Sequence, residues 1–456
     1  MTRQRLICSA LLAFFLVPAA CKAPDQGMAT TTTSASTAVA ASATAPVVAE
    51  KPIDAAKKLA LAKTPGSAPV DKLITDMQAG AQRNPAKADF WILLGRAWVR
   101  KARESSDPGF YVNANACVDV ALDVSPDDKL ALDVRTLVLL NDHKFQEARE
   151  LSEKILVKHP EDAMAWGNLS DALLELGDFT KAADAAQKMM DLKPNLPSYS
   201  RASYFRWLSG DSKAALEYAR LAIDSGRDPK DAEPQSWEIV QAALIWMHKG
   251  DYGGADAGFE KALSLQSEFP PALVGRGRVA MAKGDPKRAA ELFSRAYTQS
   301  PLVETAWLMG DAREAAGDAK GAEEAFAQAE KEGRRSDPRT LSLMWSTKNK
   351  NAAESLALIE SEKKKRGDIY TDEALAWALY RNGKLEEAKV AIDRARSHGT
   401  KDARLMYHQG AIHIATGDTA NGRKLVAEAL ALNPKFDVVG EAEARKLVEA
   451  APAAKK

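Results

Sequence analysis

A two-residue turn sequence recurs along this chain at a nearly constant interval. With Gly383-Lys384 counted as a variant, the spacings between successive turn glycines are 33, 40, 34, 33, 66 and 34 residues. The spacing of 66 is two intervals of 33, so one degenerate unit lies inside it. A repeat of this length predicts stacked helical units that bury their apolar faces against their neighbours. The Gly-Asp turns begin at Gly177, Gly210, Gly250, Gly284, Gly317 and Gly417.

Alanines keep the same phase as the turns. Small residues at fixed spacing allow two helices to approach closely, glycine permits a positive φ where the first helix stops, and the aspartate caps the helix that follows. Each unit is therefore predicted to be a helix, a tight turn and a second helix. Five residues after the glycines stand Ala182, Ala215, Ala255, Ala289, Ala322 and Ala388; twelve residues after them stand Ala222, Ala262, Ala296, Ala329, Ala395 and Ala429.

These residues resemble the tetratricopeptide repeat, whose unit is 34 residues long. The family pattern has Trp, Leu-Gly and Tyr in its first helix, and the first full unit here has Trp91, Leu94-Gly95 and, at the tyrosine position, Trp98. The resemblance implies an all-α fold, a tetratricopeptide-repeat superhelix (α-solenoid) of about ten helix pairs between residues 88 and 437. A later unit matches the pattern with Gly277, Ala289, Phe293, Ala296 and Pro301.

The N-terminus has the pattern of an export signal. Arg3 and Arg5 precede the apolar run Leu6–Ala20, which is too short for a membrane-spanning helix. Cys21 follows the run directly, and the segment resembles a bacterial lipoprotein signal in which this cysteine carries the lipid. Lys22 after the cysteine favours an outer membrane lipoprotein facing the periplasm. The alternative is ordinary signal cleavage near Ala19 or Ala20, which would give a soluble periplasmic protein.

Composition shifts predict the domain boundaries. The segment after the cysteine is rich in Ala, Thr and Ser and has no periodic apolar face, so it is predicted to be a disordered tether. Inserted residues and a weak repeat pattern divide the array further. The predicted divisions are a signal peptide (1–20), the tether with its lipid-bearing cysteine (21–50), capping helices (51–87), three repeat segments (88–227, 228–335 and 336–437), and a closing helix and tail (438–456).

Charge and motif content argue against several classes of function. The chain has 63 Lys and Arg against 62 Asp and Glu, without the positive excess of a nucleic-acid-binding protein. It lacks the motifs of nucleophilic, phosphate-binding and zinc sites, so we expect no enzyme, no cofactor and no metal. His408 and His413 are too far out of phase on a helix to ligate together, and we expect them at the surface or in the groove. The basic run 362–366 is predicted to be a solvated helix end.

The family resemblance also implies a binding surface. In this family, particular positions of each first helix line the concave face, and here those positions carry aromatic and arginine side chains, the residues enriched in binding hot spots. The implied partner-binding residues are Tyr204, Trp207, Trp237, Arg278, Trp307, Trp377, Tyr380 and Tyr407.

The predicted function is that of an exported scaffold or adaptor. It would bind a protein or peptide partner of the cell envelope in its concave groove. One alternative is a glycan-binding accessory protein of cell-envelope polysaccharide or peptidoglycan metabolism, because aromatic grooves also stack sugars. A second alternative is a spacer without a dedicated ligand.

Overall fold

The computed structural model describes residues 52–228 and 231–449, and these residues form 23 α-helices and no strands. The predicted all-α class is confirmed. Ten consecutive pairs, α3/α4 to α21/α22, follow two helices and precede one. The helices are α1 (Pro52–Ala60), α2 (Pro69–Arg83), α3 (Ala88–Ser105), α4 (Phe110–Val124), α5 (Lys129–Asn141), α6 (Phe145–Lys158), α7 (Ala163–Glu175), α8 (Phe179–Leu192), α9 (Leu196–Leu208), α10 (Ser212–Ser225), α11 (Glu233–His248), α12 (Tyr252–Leu265), α13 (Pro270–Ala282), α14 (Pro286–Gln299), α15 (Val303–Ala315), α16 (Ala319–Ser336), α17 (Pro338–Thr347), α18 (Ala352–Lys363), α19 (Ile369–Arg381), α20 (Leu385–Ala395), α21 (Ala403–Ala415), α22 (Thr419–Leu432) and α23 (Val438–Glu449).

The turn residues act as their chemistry predicts. The carboxylate of Asp211 accepts a hydrogen bond from the backbone N–H of Ala214 at 3.0 Å, which satisfies a free donor at the start of α10. Asp418 is an exception, because its carboxylate makes no capping bond to the backbone of α22. Equivalent capping bonds are made by Asp178, Asp251, Asp285 and Asp318.

Small residues bring the two helices of each pair together. The Cα of Gly277 faces the ring of Phe293 so closely that an added Cβ would overlap it, and Gly310 faces Phe326 in the same way. The in-phase alanines are buried, as expected for residues between packed helices. The repeat spacing therefore predicted the pairwise packing correctly.

The helices group into two compact units. The smaller comprises described residues 52–102 and 108–134, and the larger comprises 103–107 and the described residues from 135 onward. In the smaller unit, α1 packs against α4, and the indole N–H of Trp98 donates to the carbonyl of Ala60 at 3.0 Å. Cys117 is a buried free thiol there, and burial raises its pKa.

In the larger unit the array of pairs coils back on itself. Three consecutive turns, those that begin α8, α10 and α12, meet the loops that precede α19, α21 and α23. At the first contact, the N–H of Gly367 donates to the carbonyl of Glu175 at 2.7 Å. At the second, the Thr400 hydroxyl donates to the Leu208 carbonyl at 2.6 Å, and these residues are 192 positions apart. The third contact joins the turn before α12 to the loop before α23.

That third contact completes the series. The side-chain amide of Asn433 donates to the carbonyl of Met247 at 3.1 Å, and its oxygen accepts from the Tyr252 hydroxyl at 2.5 Å. Because each contact joins elements eleven helices apart, one coil of the larger unit takes about five and a half pairs.

One surface prediction is wrong. Arg366, expected at a solvated helix end, is buried because the coil places it between Glu175 and Asp368. The export signal, Cys21 and the tether lie outside the described residues. Among the described helices, none combines the length and the apolar character needed to cross a membrane.

Candidate partner-binding surface

The predicted binding residues lie on the first helices of consecutive pairs in the larger unit. Neighbouring first helices touch directly, as α11 touches α13 and α13 touches α15. We call the face that these helices form the inner surface. Tyr204 and Trp207 lie on α9, Trp237 on α11, Arg278 on α13, Trp307 on α15, Trp377 and Tyr380 on α19, and Tyr407 on α21.

The coil brings α9 into contact with α19 and brings α11 against Asp402 in the loop before α21. The ring of Trp207 stacks on Tyr204 at a centroid distance of 5.9 Å and on Tyr370 at 6.4 Å. His248 of α11 lies 5.2 Å from the same indole, and its Nδ1 is 3.2 Å from a carboxylate oxygen of Asp402. Trp207 is therefore buried, although the repeat register places it on the inner surface.

A second aromatic cluster joins α19, α21 and α23. Trp377 stacks on His408 at 3.9 Å and on Tyr380 at 4.8 Å, and Arg381 lies 4.6 Å from the indole centre. The Tyr407 hydroxyl donates to the Glu443 carboxylate at 2.6 Å. Trp377 and Tyr407 are buried, so they pack neighbouring helices together.

Trp307 is buried in the same apolar core as the second cluster. Of the eight predicted residues, four are therefore buried, and four are partly exposed. The partly exposed residues are Tyr204, Trp237, Arg278 and Tyr380.

Three successive first helices carry a buried donor without an acceptor among the described residues. These are the indole N–H groups of Trp237 on α11 and Trp307 on α15, and the Nε of Arg278 on α13. Arg278 also forms an ion pair with Glu304 through its terminal nitrogen, which joins α13 to α15. Since buried donors in folded proteins almost always have a partner, these three nitrogens are expected to meet an acceptor other than a described protein group, such as a water or a bound molecule.

Sequence reasoning missed the charged groups that hold the coil. Arg366 forms ion pairs with Glu175 and, at 3.0 Å, with Asp368, while Arg339 approaches Asp368 at 3.2 Å. Burial raises the pKa of Glu175 to about 7 despite Arg366. Burial alone would raise the pKa of Asp368 as well, but the charges of Arg366 and Arg339 have the larger effect, so its pKa is lowered. No repeat position marks this contact, because Glu175 and Arg366 are 191 residues apart in the chain and meet only after one full coil.

His408 differs from its predicted position at the surface or in the groove. It is buried, and its Nδ1 lies 3.0 Å from a carboxylate oxygen of Glu373. Arg404 donates two hydrogen bonds, of 2.9 and 3.0 Å, to the two oxygens of the same carboxylate. Burial lowers the pKa of His408. Burial alone would raise the pKa of Glu373, but Arg404 and then His408 lower it to about 2. This cluster holds α19 against α21. In the part of the chain that the structure describes, His, Cys, Asp and Glu side chains form no group of three suited to a metal ion.

Comparisons with known proteins agree with the repeat architecture. Residues 137–197, 243–304 and 373–435 match the family model of the tetratricopeptide repeat. Over 72 residues the chain is 39% identical to a TPR repeat-containing protein of Pseudomonas aeruginosa, and the match covers 16% of this chain and 69% of that protein.

Three solved structures are similar to this chain at low sequence identity. PilW, a type IV pilus biogenesis factor, is 20% identical with a TM-score of 0.39, over 47% of this chain and 97% of PilW. Human IFIT1 is 12% identical with a TM-score of 0.45, over 83% of this chain and 94% of that one. Yeast Tom70 is 16% identical with a TM-score of 0.34, over 83% and 95%. At these identities the likeness concerns the fold alone.

Proposed function

The chain belongs to the tetratricopeptide repeat family, and we propose that it is a non-catalytic scaffold for a protein or peptide partner. Proteins of this family are generally non-catalytic and bind protein partners. The proposed binding site is the inner surface around α11, α13 and α15.

The unsatisfied donors carry this proposal. Trp237, Arg278 and Trp307 present one donor on each of three successive first helices. An extended peptide offers a carbonyl oxygen at every residue, so a strand laid across these helices supplies acceptors in series. Partly exposed Tyr204 and Tyr380 would contact its side chains elsewhere on the inner surface.

The aromatic clusters favour a peptide over a glycan. Sugar stacking needs an open aromatic face, whereas the rings of Trp207 and Trp377 are stacked against Tyr204, Tyr380 and His408 of the chain itself. A peptide backbone, in contrast, can bind through hydrogen-bond donors and does not need an open aromatic ring. The near-neutral charge argues against a nucleic-acid partner, because proteins that bind nucleic acids carry an excess of positive charge.

A paired set of variants tests the binding surface. Trp237→Phe with Arg278→Gln removes two donors and keeps most of the packing volume, while Arg295→Gln changes an exposed arginine on second helix α14. Each immobilised protein would be challenged with solubilised cell-envelope extract. We expect one partner to be retained by the parent and by Arg295→Gln, and lost by the double variant. Equal retention by all three proteins would contradict the proposed surface.

We further propose that the protein is exported and anchored in the outer membrane through Cys21, facing the periplasm. The supporting observation is the basic start, the apolar run and the small residues before that cysteine. Metabolic labelling with an alkyne fatty acid tests this directly. Label is expected in the parent and absent from Cys21→Ser, whereas an unlabelled parent in the soluble periplasmic fraction would refute the anchor.

A further inference from the structure

An open groove lies between one first helix and the two second helices beside it. It has a volume of about 600 Å³ and lies between α10, α11 and α12. We call it the α11 groove. It differs from the inner surface, which first helices form with one another. Its lining includes Arg227, Ile239, Ala242, Trp246, Lys261 and Leu265.

Local sequence explains why this groove is open. Gly258 lies against Ala243, where an added Cβ would be 2.8 Å from the alanine Cβ, so α12 approaches α11 closely at this point. Gly254, one helical turn earlier, adds no side chain to the groove. The connection from α10 to α11 is also longer than others, because the turn interval here is 40 residues instead of 33 or 34.

The lining is apolar with a cationic margin. Trp246, Ile239 and Leu265 supply most of its apolar character, and the lining contains two cations and no carboxylate. The Arg227 side chain is 71% exposed and pairs with Asp224 at 2.8 Å. Lys261 is exposed and has no ion-pair partner among the described residues.

The two cations lie near one end of the groove. Helices α11 and α12 are antiparallel, with Gly258 opposite Ala243, so Lys261 is level with the first half of α11. Arg227 follows the end of α10, and Gln235, whose amide donates to the Ile223 carbonyl at 3.2 Å, joins that end to the start of α11. Trp246 lies toward the other end of α11. The groove thus has Arg227 and Lys261 near one end and Trp246 near the other, where the ammonium of Lys249 lies 4.6 Å from the centre of the indole ring.

We propose that the α11 groove binds a single-chain amphiphile with an anionic head group. The apolar chain would lie along Ile239, Ala242 and Trp246, and the head would contact Arg227 and Lys261. The volume lies within the range of small-molecule sites, and burying an apolar chain there gains free energy in proportion to the area removed from water. A fatty acid carboxylate and a lysophospholipid phosphate share this chemistry.

Calorimetric titration of the full-length chain tests the proposal. Dodecanoate is the probe, dodecyltrimethylammonium is its cationic counterpart with the same chain, and both are kept below their micellar concentrations. We expect saturable binding of dodecanoate and at least about fivefold weaker binding of the cationic amphiphile, since the groove margin repels it. Lysophosphatidylglycerol in a parallel titration distinguishes a phospholipid source from a free fatty acid.

Variants locate the binding. Ala242→Phe places a ring in the groove and should abolish dodecanoate binding, with helicity and melting temperature as folding controls. Lys261→Glu changes only an exposed side chain and should weaken binding about fivefold or more. Lys320→Gln, an exposed lysine on α16, should bind as the parent does. Equal affinity for both amphiphiles, or undiminished binding by Ala242→Phe and Lys261→Glu, would overturn the proposal.

Discussion

The turns of the larger unit fall into two groups, although one Gly-Asp sequence marks both. The turns at Gly177 and Gly210 are covered: a Cβ at Gly177 would lie 2.6 Å from the carbonyl oxygen of Gly367, and one at Gly210 would overlap the carbonyl of Gly399. The turns at Gly284 and Gly317 are open, because among the described residues no other part of the chain comes within 4 Å of such a Cβ. The local conformation is the same, so the difference comes from the coil.

The ion pair at one covered turn is buried by the coil. Arg366 reaches Glu175 across the coil beside the turn at Gly177, and the Arg366 side chain is only 2% exposed. In contrast, the pair of Arg295 with Glu268 is exposed, with 43% and 47% of the two side chains accessible to solvent. Removing Arg366 should therefore cost far more free energy of unfolding than removing Arg295.

The largest effect is expected at Arg366. Arg366→Ala leaves the Glu175 carboxylate without its ion-pair partner and leaves Asp368 with Arg339, which should reduce the free energy of unfolding by about 3–5 kcal/mol. Chemical denaturation measures this loss. Arg295→Ala, which removes an exposed pair, should cost less than about 1 kcal/mol. Similar costs for the two variants would remove the distinction between covered and open regions.

The pH dependence of stability should separate a buried carboxyl from exposed ones. Burial raises the pKa of Glu238 from 4.5 to about 7, so its contribution to stability is complete below pH 4.5 and is lost as the pH rises through 7. Between pH 5 and 8 the parent should lose about 3 kcal/mol of unfolding free energy relative to Glu238→Gln. Denaturation at both pH values measures the difference. The control variant Glu428→Gln, on the exposed face of α22, should show the same change in unfolding free energy as the parent. If Glu238→Gln also showed the same change as the parent, Glu238 would not be a buried carboxyl with a raised pKa.

Alanine substitutions compare the two kinds of turn directly. Gly317→Ala should cost about 1 kcal/mol, because the glycine has φ 84° and alanine is strained there. Gly210→Ala has the same strain at φ 77° and also forces its methyl group against Gly399, which adds about 1–3 kcal/mol. Melting temperatures of the two variants test the ranking. Equal losses would mean that the turn at Gly210 is open in solution.

Much of the local fold could be predicted from the sequence. The turn glycines, the in-phase alanines and the capping aspartates are each decided by contacts within one pair of helices, and Asp211 and Ala215 are where the spacing placed them. The contacts of Gly367 and Thr400 could not be predicted this way. They depend on small rotations between successive pairs that accumulate over about five pairs, and no residue pattern within one unit records them.

The same limit explains the binding residues. Register assigned Trp207 and Trp377 to the inner surface, and both lie on its helices. Both side chains are buried by residues that the repeat position does not predict. Tyr370 contacts Trp207 because of the coil, and His408 of the next first helix stacks on Trp377. Trp237 and Arg278 keep partial exposure where α11, α13 and α15 lie side by side.

The coil itself is tested most directly by a short cross-link across one covered turn. Ser209 and Lys401 are exposed residues on either side of the contact between Gly210 and Gly399. Their cysteine variants would be joined by a short bis-maleimide, with Cys8 and Cys21 changed to serine and Cys117 protected by burial and a raised thiol pKa. A Ser209→Cys variant with Lys320→Cys, beside the open turn at Gly317, is the matched control.

The coiled array predicts a rapid intramolecular cross-link between positions 209 and 401 in the native protein, its loss on unfolding, and none between 209 and 320. Absence of the first cross-link under native conditions, or equal yields from the two pairs, would contradict the coil and the covered turns with it.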